Sequence, residues 1–421
     1  MEKKKLNKNI FIIVVCWLVY TCSYIGKLGY NANILLFESE FGITHAQSGA
    51  VGTAFFFAYG VGQVINGIFC KKYNITLMVF FALIISAVCN LLLTIIGDFS
   101  FFKFVWLING AALSCLWSLL IRFLSEKLDD AYVSKAIVAM GTTVAVGTFA
   151  VYGLSALFVK LSAFKTIFYV AAVLMPVIGS LWLVLNAWLK KENPPENISE
   201  ISASEEKTAQ PAGNKSAGNK PVGYKYNKEF ILSLCVLAFF AIITNLVKDG
   251  ITVWVPNMLK ELYVMPDYLS ILLTLALPLV SVFGTAVAVF SNKYIKNFIN
   301  LCGVYFIVTV AVLAVIILFG NTSAVIMIIA LSVISLLMAG TNNIITSIAP
   351  LSYKQTANAG MLAGVLNGSC YIGSTLSSYC LGMIADKSGW NGVFYILLAA
   401  AALCCVISVI CLFVQKSKNT K

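Results

Sequence analysis

An all-α membrane protein of twelve transmembrane helices in two six-helix bundles is the fold class this sequence predicts, on three observations. The 421-residue chain is 60% hydrophobic and only 11% charged, with a mean hydropathy of +0.90, well outside the usual range of water-soluble domains. Its apolar residues fall into twelve runs, each long enough for a hydrocarbon core of about 30 Å, which takes roughly 20 residues of helix. One polar stretch, 191–227, divides those runs evenly, six on each side.

The first run, 10–35, follows MEKKKLNKN. That leader is too short, and lacks the small-residue cleavage site, for a signal peptide, so the run is read as a full-length helix. Runs 47–70, 75–97, 101–124, 136–159 and 165–189 complete a first bundle within residues 1–190. In GAVGTAFFFAYGVGQVING (49–67) small residues recur at three- and four-residue spacings, which lets helices approach closely in lipid. Segment 191–227, rich in Pro, Gly, Ser, Asn, Lys and Glu and containing AGNKSAGNK, cannot form a packed core and is read as a flexible cytoplasmic linker. Runs 229–259, 267–291, 298–320, 323–350, 357–382 and 391–415 form a second bundle within 228–421. GMLAGVLNGSCYIGSTLSSYCLG (360–382) repeats the small-residue pattern, and Pro256, Pro278 and Pro350 are expected to kink or end their helices.

The net charge of +12 does not indicate a nucleic-acid partner, because the 29 Lys and Arg are scattered between apolar runs. With the N-terminus inside, 22 of them fall in cytoplasmic segments, five in outer segments (Lys103, Lys160, Lys165, Lys260, Lys387), and two, Lys27 and Lys248, within the membrane. That asymmetry places both termini in the cytoplasm of a multi-pass cell-membrane protein. The twelve cysteines lie almost wholly in apolar runs without CxxC or Cys/His spacing, so they are read as small packing residues and no metal or cofactor is called for. The one histidine, His45, falls in the first outer loop, and no catalytic triad, P-loop or dinucleotide fingerprint can be assembled. Nothing in the sequence supports an enzyme.

A lysine near the centre of a membrane helix costs about 2.5–3.5 kcal/mol on insertion scales, so such residues normally face a watery cavity and mark a substrate or ion path. Lys27 lies 17 residues past Ile10, and Lys248 lies 17 residues past Ile231, each at the start of its bundle. The match extends further: at an offset of 221, Glu40 corresponds to Glu261 and Lys72-Tyr73 to Lys293-Tyr294. Agreement in spacing and topology points to an internal duplication, with the two cations forming one site. Snorkelling is the competing reading, since each lysine lies only about 7 Å outward of its helix middle at 1.5 Å per residue.

The same residues carry a family resemblance. Tyr20-x3-Tyr24-x2-Lys27 resembles the Y-x3-Y-x2-R of the organophosphate:phosphate antiporter family of the major facilitator superfamily, typified by glycerol-3-phosphate and hexose-phosphate transporters. AYGVGQVING (58–67) resembles its A-Y-G-x2-K-x3-G, and LVKDGITVWVPNMLKE (246–261) is similar to its LLRxGxxxWxPxYLKE. GMLAGVLNGSCYIGS and LGMIADKSGWNGVF (381–394) resemble its eleventh helix and the following loop. The resemblance implies the major facilitator fold, with parallel repeats about the membrane normal and a midplane site. It also implies exchange of a phosphorylated metabolite for inorganic phosphate by a functional monomer. There are departures. Lys27 and Lys248 stand where the family has arginine, Gln63 where it has lysine and Val144 where it has histidine; the inner-loop G-x3-D-R is Gly67-x3-Lys71-Lys72, and Asn292 replaces an acid in its second copy.

Lysine is a hydrated point charge without the planar fork of arginine, so the pair predicts weaker phosphate discrimination and tolerance of carboxylate or sulfonate. Tyr24, one turn before Lys27, and Tyr59 and Gln63 on the second helix are candidate hydrogen-bonding groups, with Tyr20, Asn245 and Asn342 as further candidates. Asn343, Thr142 and Thr143 are weaker ones. Neighbours on a helix point about 100° apart, so Asp249 is expected to turn off Lys248's face and pair with another helix. With Asp249 away from the cavity, an empty carrier would bury about +2 on switching and exchange would be obligatory. With Asp249 in reach it can offset a lysine or take a proton. Two other readings stay open: a proton-coupled symporter of another organic anion, and a transporter-like receptor for a phosphorylated ligand, docking a partner through 191–227.

Overall fold

The computed structural model describes residues 2–69, 74–192, 228–352 and 359–419. The segment read as a linker lies, from residue 193 onward, outside the described residues, and so do Lys71 and Lys72 of the degraded inner-loop motif. Ten helices each cross once: Lys8–Ala32, His45–Asn66, Ile75–Ile95, Phe99–Lys127, Ala131–Lys160, Thr166–Lys191, Phe230–Tyr263, Asp267–Tyr294, Phe298–Thr322 and Ala324–Ile348. The last apolar stretch, Leu362–Val414, is too long for one crossing. Gly389 breaks it, with φ at +65° and ψ at −177°, a backbone conformation essentially restricted to glycine. The result is the expected twelve passes, numbered here one to twelve in chain order.

Several passes are irregular where the sequence has reason to be. The eighth is assembled from Asp267–Leu273, Ala276–Ser281 and Gly284–Tyr294, with Pro278 in the middle piece. The tenth widens into a π-helical turn, Ile344–Ile348, just before Pro350. The seventh runs through Pro256 without interruption to Tyr263, so Pro256 does not end its helix.

Packing follows the small residues. A Cβ on Gly373 of the eleventh pass would land on the Ile242 carbonyl of the seventh, so only glycine lets these backbones touch. Gly373→Val is expected to cost about 1–3 kcal/mol through overpacking, read as a lowered melting temperature in detergent. Gly364→Val, at a position with open space around its Cβ, is expected to leave it unchanged. Outward faces are apolar and exposed, with Phe81 and Val88 on the third pass and Val173, Val177 and Val184 on the sixth, as hydrocarbon contact requires. At the end of the molecule away from the chain termini, called distal here, a short helix Ile34–Phe41 is pinned by Phe37. The ring of Phe37 is fully buried and lies 5.3 to 5.4 Å from those of Tyr30, Phe102, Phe164 and Phe168.

The two bundles meet along passes two and eleven. Gly49 abuts the Ser378 carbonyl and Gly60 the Tyr371 side chain, while Thr53 donates to the Thr375 carbonyl at 2.8 Å and accepts from the Tyr379 amide at 3.1 Å.

Candidate functional site

A cavity of about 260 Å³ lies between the bundles, walled by passes one, two, five, seven, eight, ten and eleven. Lys27 and Lys248, from opposite bundles, both line it. Lys27 is oriented from behind. Gly26 leaves room for Ser86 and Asn90, and its carbonyl accepts the side-chain amides of Asn90 (3.2 Å) and Asn109 (2.9 Å) from passes three and four. The next residue therefore turns the other way, toward the cavity. Its ammonium sits 4.1 Å from the centroid of Tyr59 and 5.3 Å from that of Tyr24, so two ring faces stabilise a cation that hydrocarbon would penalise.

Lys248 is held differently. Its Nζ donates to Asn245 Oδ1 at 3.4 Å and pairs with Asp249 Oδ1 at 3.3 Å. Asn245 in turn donates to Asn342 Oδ1 at 3.0 Å, and Cys370 Sγ donates to the same oxygen at 3.2 Å. Asp249 also accepts the hydroxyl of Ser374 on the eleventh pass. The expectation that Asp249 leaves Lys248's face is thus corrected. The 100° between neighbours separates the Cβ directions, but a four-carbon stem bends back far enough to close the pair. The side chains are 28% and 21% exposed, so both remain open to the cavity. Lys27 also feels the Asp249 charge electrostatically. Among the described lining residues the formal charge is +1, from two lysines and one aspartate.

The remaining candidates divide. Tyr24, Asn245 and Asn342 line the cavity. Tyr59 reaches Lys27 with its ring face, and Gln63 accepts from the amide of the lining residue Asn367 at 2.9 Å. Tyr20 does not line it; it packs edge-on to Tyr24 and against Trp117 as a buried core residue. Asn343 turns to Thr285 on the eighth pass, Thr142 accepts from the Trp17 indole, and Thr143 bonds its own helix. The polar wall beside Val144 is instead Thr148 and Tyr152, the latter donating to the Thr252 carbonyl at 3.3 Å.

Asn31, Ser281, Ser335, Cys370 and Tyr371 line the cavity without having been singled out from sequence. Asn31 and Cys370 had a signal that could have found them: Asn31 lies one helical turn beyond Lys27, and Cys370 sits in a polar-rich eleventh-helix run. Ser281 and Ser335 had none, because their depth depends on how passes eight and ten pack.

Comparison with known proteins agrees with this architecture. The family model of the Major Facilitator Superfamily matches residues 16–378. A probable hexose phosphate transport protein of Chlamydia pneumoniae is 22% identical over 96% of this chain and 91% of its own length. A protein of the same description from Chlamydia trachomatis is 21% identical over 93% and 88%. Among solved structures, a bacterial homolog of the human lysosomal transporter Spinster, inward-facing and occupied, superposes with a TM-score of 0.71 at 13% identity, covering 97% of this chain and 96% of that one. The nucleoside transporter NupG gives 0.67 at 15%, covering 96% and 98%. The family match covers most of the chain, and the fold is that of membrane transporters and not of an enzyme: the protein is a member of the Major Facilitator Superfamily.

Proposed function

We propose that this transporter moves a small organic anion, with phosphate monoesters as the substrate class, by alternating access about the central cavity. The observation that carries the reading is the placement of Lys27 and Lys248 from opposite bundles on one cavity wall. A doubly anionic headgroup between two cations from opposite bundles is bound equally by both, which is what a carrier must release on either side. The names of the two chlamydial relatives support a sugar phosphate. Both lysines come from one chain, in keeping with a functional monomer. The charge asymmetry supports cytoplasmic termini in the cell membrane, so that the distal end faces out.

The reading is tested by counterflow. Proteoliposomes loaded with inorganic phosphate should take up labelled hexose phosphate, with competition by phosphate esters and weaker competition by carboxylates; carboxylates competing alone would overturn the phosphate assignment. Orientation has its own test. Asn321→Cys, in the distal turn Gly320–Thr322 that ends the ninth pass, should react with an impermeant maleimide in intact cells above the wild-type background.

A second coupling mode is favoured by Asp249. Because its carboxylate already offsets one lysine, a dianion fits the cavity charge better if Asp249 accepts a proton on binding. Proton-linked uptake of the organic anion then stands beside exchange for phosphate.

A further inference from the structure

The only histidine in the chain stands at the distal end, outside the central cavity, and each of its ring nitrogens faces a carboxylate. His45 Nδ1 is 3.1 Å from Glu38 Oε1 and Nε2 is 3.1 Å from Glu261 Oε1. A neutral imidazole has one N–H and one lone pair, so in a neutral ring one carboxylate would face a lone pair at hydrogen-bond distance. An imidazolium donates to both. The arrangement is therefore complete only with a proton bound.

The groups around it are tightly placed. Glu38 also accepts from Ser48 and from the Asn257 amide at 2.5 Å, and Glu261 accepts from the Trp390 indole at 2.8 Å. The rings of Trp254 and Trp390 lie 5.5 and 5.2 Å from the imidazole. Asp386 accepts the backbone amides of His45 and Ala46 at 3.0 and 2.8 Å. Lys260, beside Glu261, has its ammonium on Asp267 at 2.8 Å. Tyr30, which lies near Glu38, donates to the Ser48 carbonyl at 2.9 Å. Glu38 and His45 belong to the first bundle, and Asn257, Glu261, Asp386 and Trp390 to the second. The imidazole thus joins the bundles across the end that must part for the cavity to open distally. Without its proton, Glu38, Glu261 and Asp386 converge there; Lys260 acts on Glu261 while its ammonium rests on Asp267, and Lys387 follows Asp386 in the chain.

We propose that His45 is a proton-binding latch on the distal gate: protonated, it bridges Glu38 and Glu261 and holds the bundles together, and release of the proton accompanies opening. In the open state His45 keeps at most the carboxylate of its own bundle, so the closed state binds the proton more tightly. The sign follows. Closure is fully supported at low pH and is lost as pH rises through the closed-state titration, the closed-to-open ratio falling by at most tenfold per pH unit for one proton. No substrate is involved, so the latch stands or falls separately from the phosphate assignment.

The test is double electron–electron resonance in lipid nanodiscs. Spin labels on bio-orthogonal residues at positions 161 and 321, in distal turns of opposite bundles, leave the native cysteines in place. Burial works to lower the His45 pKa, but its bonds to Glu261 and Glu38 raise it to about 10. From about pH 6 to about 11 the wild type should therefore pass from a short to a long distance. His45→Gln, which bridges without charge, should give a ratio independent of pH. Glu261→Gln should move the midpoint down by about one pH unit or more, and decides the matter if His45→Gln fails to fold. A wild-type distance that ignores pH, a His45→Gln profile that coincides with wild type, or an unshifted Glu261→Gln midpoint would each overturn the latch.

Discussion

Lys27→Ala and Lys248→Ala should each reduce counterflow by about 100-fold or more, because removing one partner of a desolvated charge contact costs roughly 3–5 kcal/mol and each 1.4 kcal/mol is tenfold. Yield and melting temperature should hold or rise for Lys27→Ala, since alanine enters a membrane helix more easily than lysine, and should fall for Lys248→Ala, which leaves the Asp249 carboxylate without its ammonium. The two should differ in a second respect. Loss of Lys27 removes the cation that rests on Tyr24 and Tyr59, whereas loss of Lys248 removes the ammonium paired with Asp249 and leaves it the Ser374 hydroxyl and the more distant charge of Lys27. Lys248→Ala is therefore expected to be rescued in part by Asp249→Asn, and Lys27→Ala is not. Lysine-to-arginine changes should keep partial activity and shift preference toward phosphate, through the guanidinium fork. Unchanged substrate affinity in both alanine variants would exclude the cavity as the binding site.

Asp249→Asn carries the second large effect. The lining charge rises from +1 to +2, so the apparent affinity for inorganic phosphate should tighten by about tenfold, in line with one charge contact in a partly solvated site. The same change removes the only carboxylate among the described lining residues. Wild-type vesicles without internal anion should accumulate substrate when their interior is made alkaline relative to a fixed exterior, and Asp249→Asn should lose that response while keeping counterflow. Holding the exterior pH constant leaves the distal histidine in one state, so the two proton-binding groups are read separately. Accumulation by the variant equal to wild type would leave Asp249 as a simple charge pair.

Much of this was legible in the chain. Twelve passes follow from run length alone, and the lysine pair from depth and repeat position, because burying an unpaired ammonium is costly enough to leave a mark in any sequence. Asp249 meets its expected partner on another helix, Ser374, yet also closes onto Lys248, because Cβ directions do not fix where charged tips lie. Tyr20 matched a motif yet sits behind Tyr24, since a shared helix face does not fix depth within it. His45 reads as a loop residue in the sequence, begins the second pass in the structure, and gains its significance from Glu261, which lies 216 positions away; no local pattern joins them. The same holds for Ser281 and Ser335, which reach the cavity only through the packing of broken passes.

The seam between passes two and eleven has a mechanical consequence. Where Gly49 and Gly60 let one backbone lie against its neighbour and Thr53 stitches the two, the bundles have no slack to pull apart without exposing bonded main chain to hydrocarbon. The seam starts one turn beyond His45, and Gly382 lies against the His45 backbone, so these close contacts and the distal carboxylates close the same end together. A bulky residue at Gly49 would collide with the Ser378 carbonyl in this arrangement, so it works against the distally closed state itself and tips the carrier toward the open one.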